Sequence, residues 1–148
     1  MESPNPYPRA LAHGLLAFIA LILATLVWGV VEMVLLQPGR TMAYYGDAVS
    51  RFYVGAGIVL VGLFAWRAAR RMPMRPALIA GLVVAGVSIV AELAAFLVMP
   101  DAGNDWRAAS LSIGTKLIAG LAGGWLAGRA RPAVETEDAV ADGGPTPD

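Results

Sequence analysis

Three ionisable residues lie inside long apolar stretches of the sequence. They are Glu32, Glu92 and Lys116, in the runs 14–36, 77–99 and 108–128. A carboxylate binds a proton or a cation, and an ammonium holds a carboxylate ionised, so these residue types suit proton exchange or the binding of a small polar solute. That chemistry depends on whether the helices bring the three side chains together.

The composition is that of a membrane protein. Of the 148 residues, 57% are hydrophobic and the mean hydropathy is +0.63, whereas roughly half of the residues of a soluble domain are apolar. The 11 basic and 11 acidic residues cancel, which argues against a nucleic-acid partner. There is no cysteine and one histidine, His13, so we expect no metal, no cofactor and no thiol chemistry.

Four apolar stretches are candidates for transmembrane helices, which need about 20 apolar residues. The predicted spans are about 12–36, 47–67, 77–99 and 107–128. The second is the weakest, because only residues 52–66 are free of charge, which is roughly 22 Å of helix. The sequence therefore predicts an all-α membrane protein with four transmembrane helices. A signal peptide is the alternative for the first stretch, which is longer than the usual apolar core of about 7 to 15 residues.

The arginines predict the orientation of the chain. They cluster before the first span, between the second and third, and after the fourth, at Arg9, Arg67, Arg70, Arg71, Arg75, Arg129 and Arg131. By the positive-inside rule these segments are cytoplasmic, so both termini are predicted inside the cell and the protein is placed in the cell membrane. Residues 132–148 are acidic and rich in proline and glycine, which predicts a disordered cytoplasmic tail.

The chain shows signs of an internal duplication. The segment PRALAHGL at 8–15 is similar to RPALIAGL at 75–82. Four further pairs share a spacing of 59 residues: Gly55 and Gly114, Trp66 and Trp125, Arg70 and Arg129, Pro73 and Pro132. These matches predict two helical hairpins that enter the membrane in the same sense, as parallel repeats. Chance similarity in a chain rich in small aliphatic residues is the alternative.

Small residues share the helix faces that carry Glu92 and Lys116. Gly120, Gly124 and Gly128 follow Lys116 at intervals of four, and Gly81, Ala85 and Ser88 precede Glu92 at intervals of four and three. Residues at these intervals lie on one side of a helix, and small residues let neighbouring helices approach closely. We predict that both faces pack inside the bundle, so that the ionisable side chains point away from lipid.

Counting residues from the helix ends predicts one polar cluster. At 1.5 Å per residue, Glu32, Glu92 and Lys116 lie about 6, 10 and 13 Å below the external ends of their spans. Lys116 is expected to pair with one glutamate, and the other, beside a like charge, is expected to hold a proton. The sequence leaves the choice of partner open, although Glu92 is nearer in depth.

The cluster predicts a function in transport. Membrane carboxylates often mark proton and solute pathways, so we expect ion- or proton-linked transport of a small solute. The alternative is a non-transporting accessory or assembly subunit, in which a Glu–Lys pair only fixes the helix arrangement. No nucleotide-binding or hydrolase motif is present, so we expect no enzyme. The expected partners are the lipid bilayer and a homo-oligomer or larger membrane complex, because four helices enclose little space.

Overall fold

The computed structural model describes residues 7–98 and 106–130. Within these ranges the chain is helical and has no strand. The elements are α1 (Tyr7–Val31), a π-helical turn (Glu32–Leu36), α2 (Met42–Ala69), α3 (Met74–Val98) and α4 (Trp106–Arg129). The prediction of an all-α chain is confirmed, and the predicted tail at 132–148 lies outside the described residues.

Three helical segments are long and apolar enough to cross a membrane: Tyr7–Leu36, Met42–Ala69 and Met74–Val98. The second, predicted to be the weakest span, qualifies because α2 has 28 residues and continues beyond its uncharged stretch at both ends. By contrast, α4 has 24 residues, about 36 Å of helix, but is not among the three. Its glycines, serines and Lys116 give it a less apolar composition than the other helices.

The connection between α1 and α2 is a compact turn. The π-helical turn closes with the Gln37 N–H donating to the Glu32 carbonyl oxygen at 2.9 Å. Gly39 has φ +80°, a left-handed conformation that glycine adopts without steric cost. The Thr41 hydroxyl accepts from the Tyr44 N–H at 3.4 Å and caps the start of α2. These bonds hold the end of α1 close to the start of α2.

The helices pack with α2 and α3 at the centre. Each lies close to all the other helices, whereas no Cα atoms of α1 and α4 come within 8 Å of each other in the described residues. On α3 and α4 the small-residue faces meet, since a Cβ built on Gly120 would lie 2.6 Å from the Gly81 carbonyl oxygen, and one on Gly124 would lie 2.5 Å from that of Ala77. These two helices therefore run antiparallel with their backbones in close contact.

The core near the connection of α2 and α3 consists almost entirely of alanine. Its buried members are Ala10, Ala65, Ala68, Ala69, Ala77, Ala80, Val84 and Ala127. Their small side chains let neighbouring helices approach closely and leave this end of the bundle without buried polar groups in the described residues. Buried polar side chains lie farther toward the α1–α2 turn, where they form the site described next.

Candidate functional site

An ion pair joins α3 to α4 inside the bundle. The Lys116 Nζ lies 2.6 Å from the Glu92 Oε2, and the exposed fractions of the two side chains are 1% and 14%. Hydrogen bonds between two charged groups are short and strong. The structure thus pairs Lys116 with Glu92, the glutamate that the depth estimate placed nearer to it.

Two further side chains complete the cluster, which we call the Glu92–Lys116 site and define as Tyr53, Glu92, Ser112 and Lys116. The Ser112 hydroxyl donates to the Glu92 Oε1 at 2.9 Å. The Lys116 Nζ donates to the Tyr53 hydroxyl at 3.3 Å and lies 4.6 Å from the centroid of the Tyr53 ring, close enough for a cation–π contact. The site therefore combines residues from α2, α3 and α4.

A glycine on α2 makes room for the Lys116 side chain. A Cβ built on Gly57 would lie 3.1 Å from the Lys116 Cε and 3.6 Å from the Leu21 Cδ2. The aliphatic stem of Lys116 therefore lies directly on the α2 backbone. Gly57 follows Tyr53 by four residues, so both lie on the same face of α2 and together position the ammonium group.

Glu32 is not part of this site, which corrects the prediction of a single cluster. Glu32 is only 6% exposed, and its Oε1 accepts a hydrogen bond from the Tyr44 hydroxyl at 3.1 Å. Tyr44 precedes Tyr53 by nine residues, about 13 Å along α2. Residue counts from the helix ends did not reveal this separation, because such counts do not fix the heights at which neighbouring helices meet.

The surroundings of Glu32 are a hydrogen-bonded cap on the α1–α2 turn. The Tyr45 hydroxyl donates to the Gln37 carbonyl oxygen at 2.6 Å and accepts from the Arg40 N–H at 3.0 Å. Glu32 itself opens the π-helical turn, a rare element that often occurs at functional sites. Glu32 and Tyr44 thus form a second polar centre next to this cap.

Removing the Tyr44 hydroxyl tests this second centre. We expect Tyr44→Phe to lower the temperature of unfolding, because the Glu32 carboxylate loses a hydrogen-bond donor. Thermal unfolding in detergent measures the change. In a Glu32→Met background the same substitution should cost little, and a full cost there would show that the Tyr44 hydroxyl acts independently of Glu32.

Two buried polar atoms have no hydrogen-bond partner in the part of the chain that the structure describes: Ser88 Oγ and Trp28 Nε1. Ser88 is fully buried and precedes Glu92 by four residues on the same face of α3. The Trp28 ring stacks on Phe52, with the ring centroids 4.8 Å apart. Both atoms lie in the half of the bundle that contains Glu32, Glu92 and Lys116.

The site contains residues that the sequence analysis did not identify. Tyr53 is the twelfth residue of α2 and lies about 16 Å into that helix, and nothing in its local sequence indicated a contact with Lys116. Ser112 could have been identified from helical spacing, because it precedes Lys116 by four residues and lies on the same face of α4. No local pattern could have identified Gly57, because its contact with Lys116 depends on the register between α2 and α4.

Five of the six predicted packing residues lie at the interface of α3 and α4: Gly81, Ala85, Gly120, Gly124 and Gly128. Gly120 lies against Gly81 and Ala85, while Gly124 lies against Ala77. Gly128 lies beside Met74, with a Cβ position 2.8 Å from the Met74 Sδ. In addition, Gly123 packs against the backbone of α2 at Gly62 and Ala65, a contact that the spacing of four did not indicate.

Within residues 7–98 and 106–130, no group of three or more histidine, aspartate or glutamate side chains is arranged to hold a metal ion. The Glu92–Lys116 site itself offers one carboxylate, one ammonium group and two hydroxyls. Carboxylates and ammonium groups exchange protons, and hydroxyls donate and accept hydrogen bonds, so these groups can bind a proton or a small polar solute.

Comparison of the chain with protein-family models, with curated proteins and with solved structures finds no match.

Proposed function

We infer that the chain is a small integral membrane protein that links proton binding at Glu92 to the transport of a small solute. The observation that supports this function is the buried ion pair, in which a lysine of 1% exposure lies 2.6 Å from a glutamate. Desolvating two charges costs several kcal/mol per ion, and an apolar pair of similar volume would often stabilise a bundle equally well. Ionisable residues inside membrane helices are for that reason functional candidates.

The site offers a simple coupling step. With Glu92 ionised, its carboxylate accepts hydrogen bonds from Lys116 and Ser112. When a proton binds to Glu92, Lys116 loses its counter-ion and the site becomes positive. A solute that restores the charge balance then binds more tightly, so that proton binding and solute binding favour each other.

The proposed topology places four spans in the cell membrane with both termini in the cytoplasm. In it α4 is the fourth span, because its length suffices and its one lysine is paired inside the bundle. The two hairpins are proposed as parallel repeats. This part of the proposal rests on the matching pairs in the sequence, which share a spacing of 59 residues.

An accessory subunit of a larger membrane complex is the second candidate, favoured by open positions on the bundle surface. Cβ atoms built on Gly46, Gly55, Gly86 and Gly114 would meet no atom within 4 Å. Open glycines of this kind let a helix of another protein approach closely. If this role is the correct one, a bulky residue at Gly114 abolishes complex formation and Glu92→Gln has no effect.

The proposed transport function is tested with Glu92→Gln. Purified protein is reconstituted in liposomes that contain a pH-sensitive dye, and an imposed pH gradient is followed in buffers of potassium nitrate or sodium chloride. We expect the protein-dependent proton flux to fall at least about tenfold in Glu92→Gln, because glutamine keeps the size of the side chain but cannot ionise.

The matched control is Asp47→Asn, which neutralises an exposed carboxylate on α2 away from the site. Its proton flux should equal that of the native protein. Equal fluxes for the native protein and Glu92→Gln would contradict proton exchange at Glu92 and favour the accessory role.

A further inference from the structure

We propose that the Glu92–Lys116 site takes up a small monovalent anion together with one proton. This inference rests on the transport function proposed above and specifies its substrate class. Two properties point to an anion: the groups around Glu92 are hydrogen-bond donors, and the site becomes positive when Glu92 binds a proton.

The first property is the excess of donors. An ammonium group has three N–H donors, and Lys116 directs two of them to Glu92 and Tyr53. Ser112 and Tyr53 each carry an O–H group. The Glu92 carboxylate is the one group of the site that only accepts, and it becomes a donor itself when protonated. A protonated site therefore needs an acceptor, which an anion supplies.

Ser88 adds a donor that lacks a partner. The hydroxyls of Thr25 and Thr115 donate to carbonyl oxygens of their own helices, at Leu21 and Leu111, as is common for helical hydroxyls. The Ser88 hydroxyl is fully buried and makes no such bond. A buried polar group without a partner is costly, and a ligand that accepts from it offsets the cost. Ser88 lies one turn from Glu92, on the same face of α3.

Trp28 supplies a second donor without a partner. Its indole N–H can only donate, and the nitrogen is buried without a hydrogen bond. Trp28 stacks on Phe52, the residue before Tyr53, so it lies along α2 between Tyr44 and the Lys116 contact at Gly57. Its unpartnered N–H is therefore a second buried donor between the Glu32 end of the bundle and the level of Lys116.

The second property is charge balance. Glu92 and Lys116 together are neutral, so a cation or an anion alone would add an uncompensated charge to a buried site. When Glu92 is protonated, Lys116 carries the remaining positive charge and a monovalent anion restores neutrality. Tyr53 is the other titratable group in contact with Lys116 among the described residues, while Glu32 contacts Tyr44 instead. One proton and one anion would therefore move together without net charge.

The test uses nitrate and chloride as probes, because their conjugate acids are too strong to cross a bilayer as neutral molecules. Liposomes that contain the native protein and a pH-sensitive dye receive an inward gradient of either anion, with the membrane potential clamped by potassium and valinomycin. We expect the interior of the liposomes to acidify, and clamping the membrane potential should not slow this acidification. A sodium gradient with equal anion concentrations on both sides should cause no acidification.

Two variants separate the roles within the site. Glu92→Gln should lose anion-driven acidification but still exchange radioactive chloride for chloride, because glutamine resembles the protonated side chain. Ser88→Ala should raise the half-saturating anion concentration about tenfold, the effect of one lost hydrogen bond to a charged ligand. Thr115→Val is the matched control, since its hydroxyl is bonded to its own helix, and it should leave that concentration unchanged.

The outcomes separate this inference from the transport function. Absence of acidification with both anions, or an unchanged half-saturating concentration in Ser88→Ala, overturns the anion site. If a sodium gradient drives a proton flux that Glu92→Gln abolishes, the transport function stands and the substrate class is wrong. If no gradient drives a proton flux that depends on Glu92, both fail.

Discussion

Lys116→Met is expected to lower the free energy of unfolding by about 3–5 kcal/mol. The substitution keeps much of the side-chain volume over Gly57 but leaves Glu92 with Ser112 as its hydrogen-bond donor. A buried carboxylate without its cation is far costlier than the intact pair, because the protein interior solvates the charge poorly. Thermal unfolding of the purified protein in detergent measures the change.

The double variant Glu92→Gln with Lys116→Met is the control for this prediction. Because neither side chain is then charged, we expect most of the lost stability to return, which gives a large coupling energy in the double-mutant cycle. If Lys116→Met unfolds at the same temperature as the native protein, or the two substitutions are simply additive, the ammonium is not buried against Glu92.

Gly124→Leu is expected to prevent the bundle from forming, at a cost of at least about 3 kcal/mol. A Cβ on Gly124 would already lie 2.5 Å from the carbonyl oxygen of Ala77, and the rest of a leucine side chain would have to enter the backbone of α3. Because backbone atoms of a packed helix cannot turn away as a flexible side chain can, α4 would have to separate from α3. Size-exclusion chromatography and thermal unfolding in detergent report the loss.

Gly114→Leu is the matched control on the same helix. A Cβ at Gly114 would meet no atom within 4 Å, and leucine is a better helix former than glycine. We therefore expect a protein as stable as the native one or slightly more stable. Equal damage from both substitutions would show that glycine matters for the conformation of α4 rather than for its contact with α3.

Much of the fold was predictable because long apolar runs in a bilayer have few alternatives to the helix. The length of α2 was harder to predict, because Asp47 and Arg51 lie inside it and interrupt the apolar pattern near its start. The π-helical turn at Glu32–Leu36 was not predicted, because a change in backbone hydrogen bonding leaves no trace in hydropathy. The low apolarity of α4 reflects glycines that pack against other helices.

The site was predictable only as far as helical spacing reaches. Intervals of three and four placed Ser88 with Glu92, and Lys116 with Gly120, and the structure brings these two faces together. The contribution of Tyr53 depends on the register between α2 and α4, which no local pattern specifies. The error at Glu32 has the same origin, because residue counts along separate helices do not fix the heights at which those helices meet.

The most direct measurement of the central claim uses the fact that Lys116 is the only lysine in the chain. In protein labelled with 15N at the lysine side chain and 13C at the glutamate carboxyl groups, solid-state NMR in lipid bilayers detects one ammonium nitrogen. The structure predicts a dipolar coupling to one glutamate carboxyl carbon at about 3–4 Å, lost in Glu92→Gln and retained in Glu32→Gln. Absence of the coupling, or its loss in Glu32→Gln, would contradict the Glu92–Lys116 site.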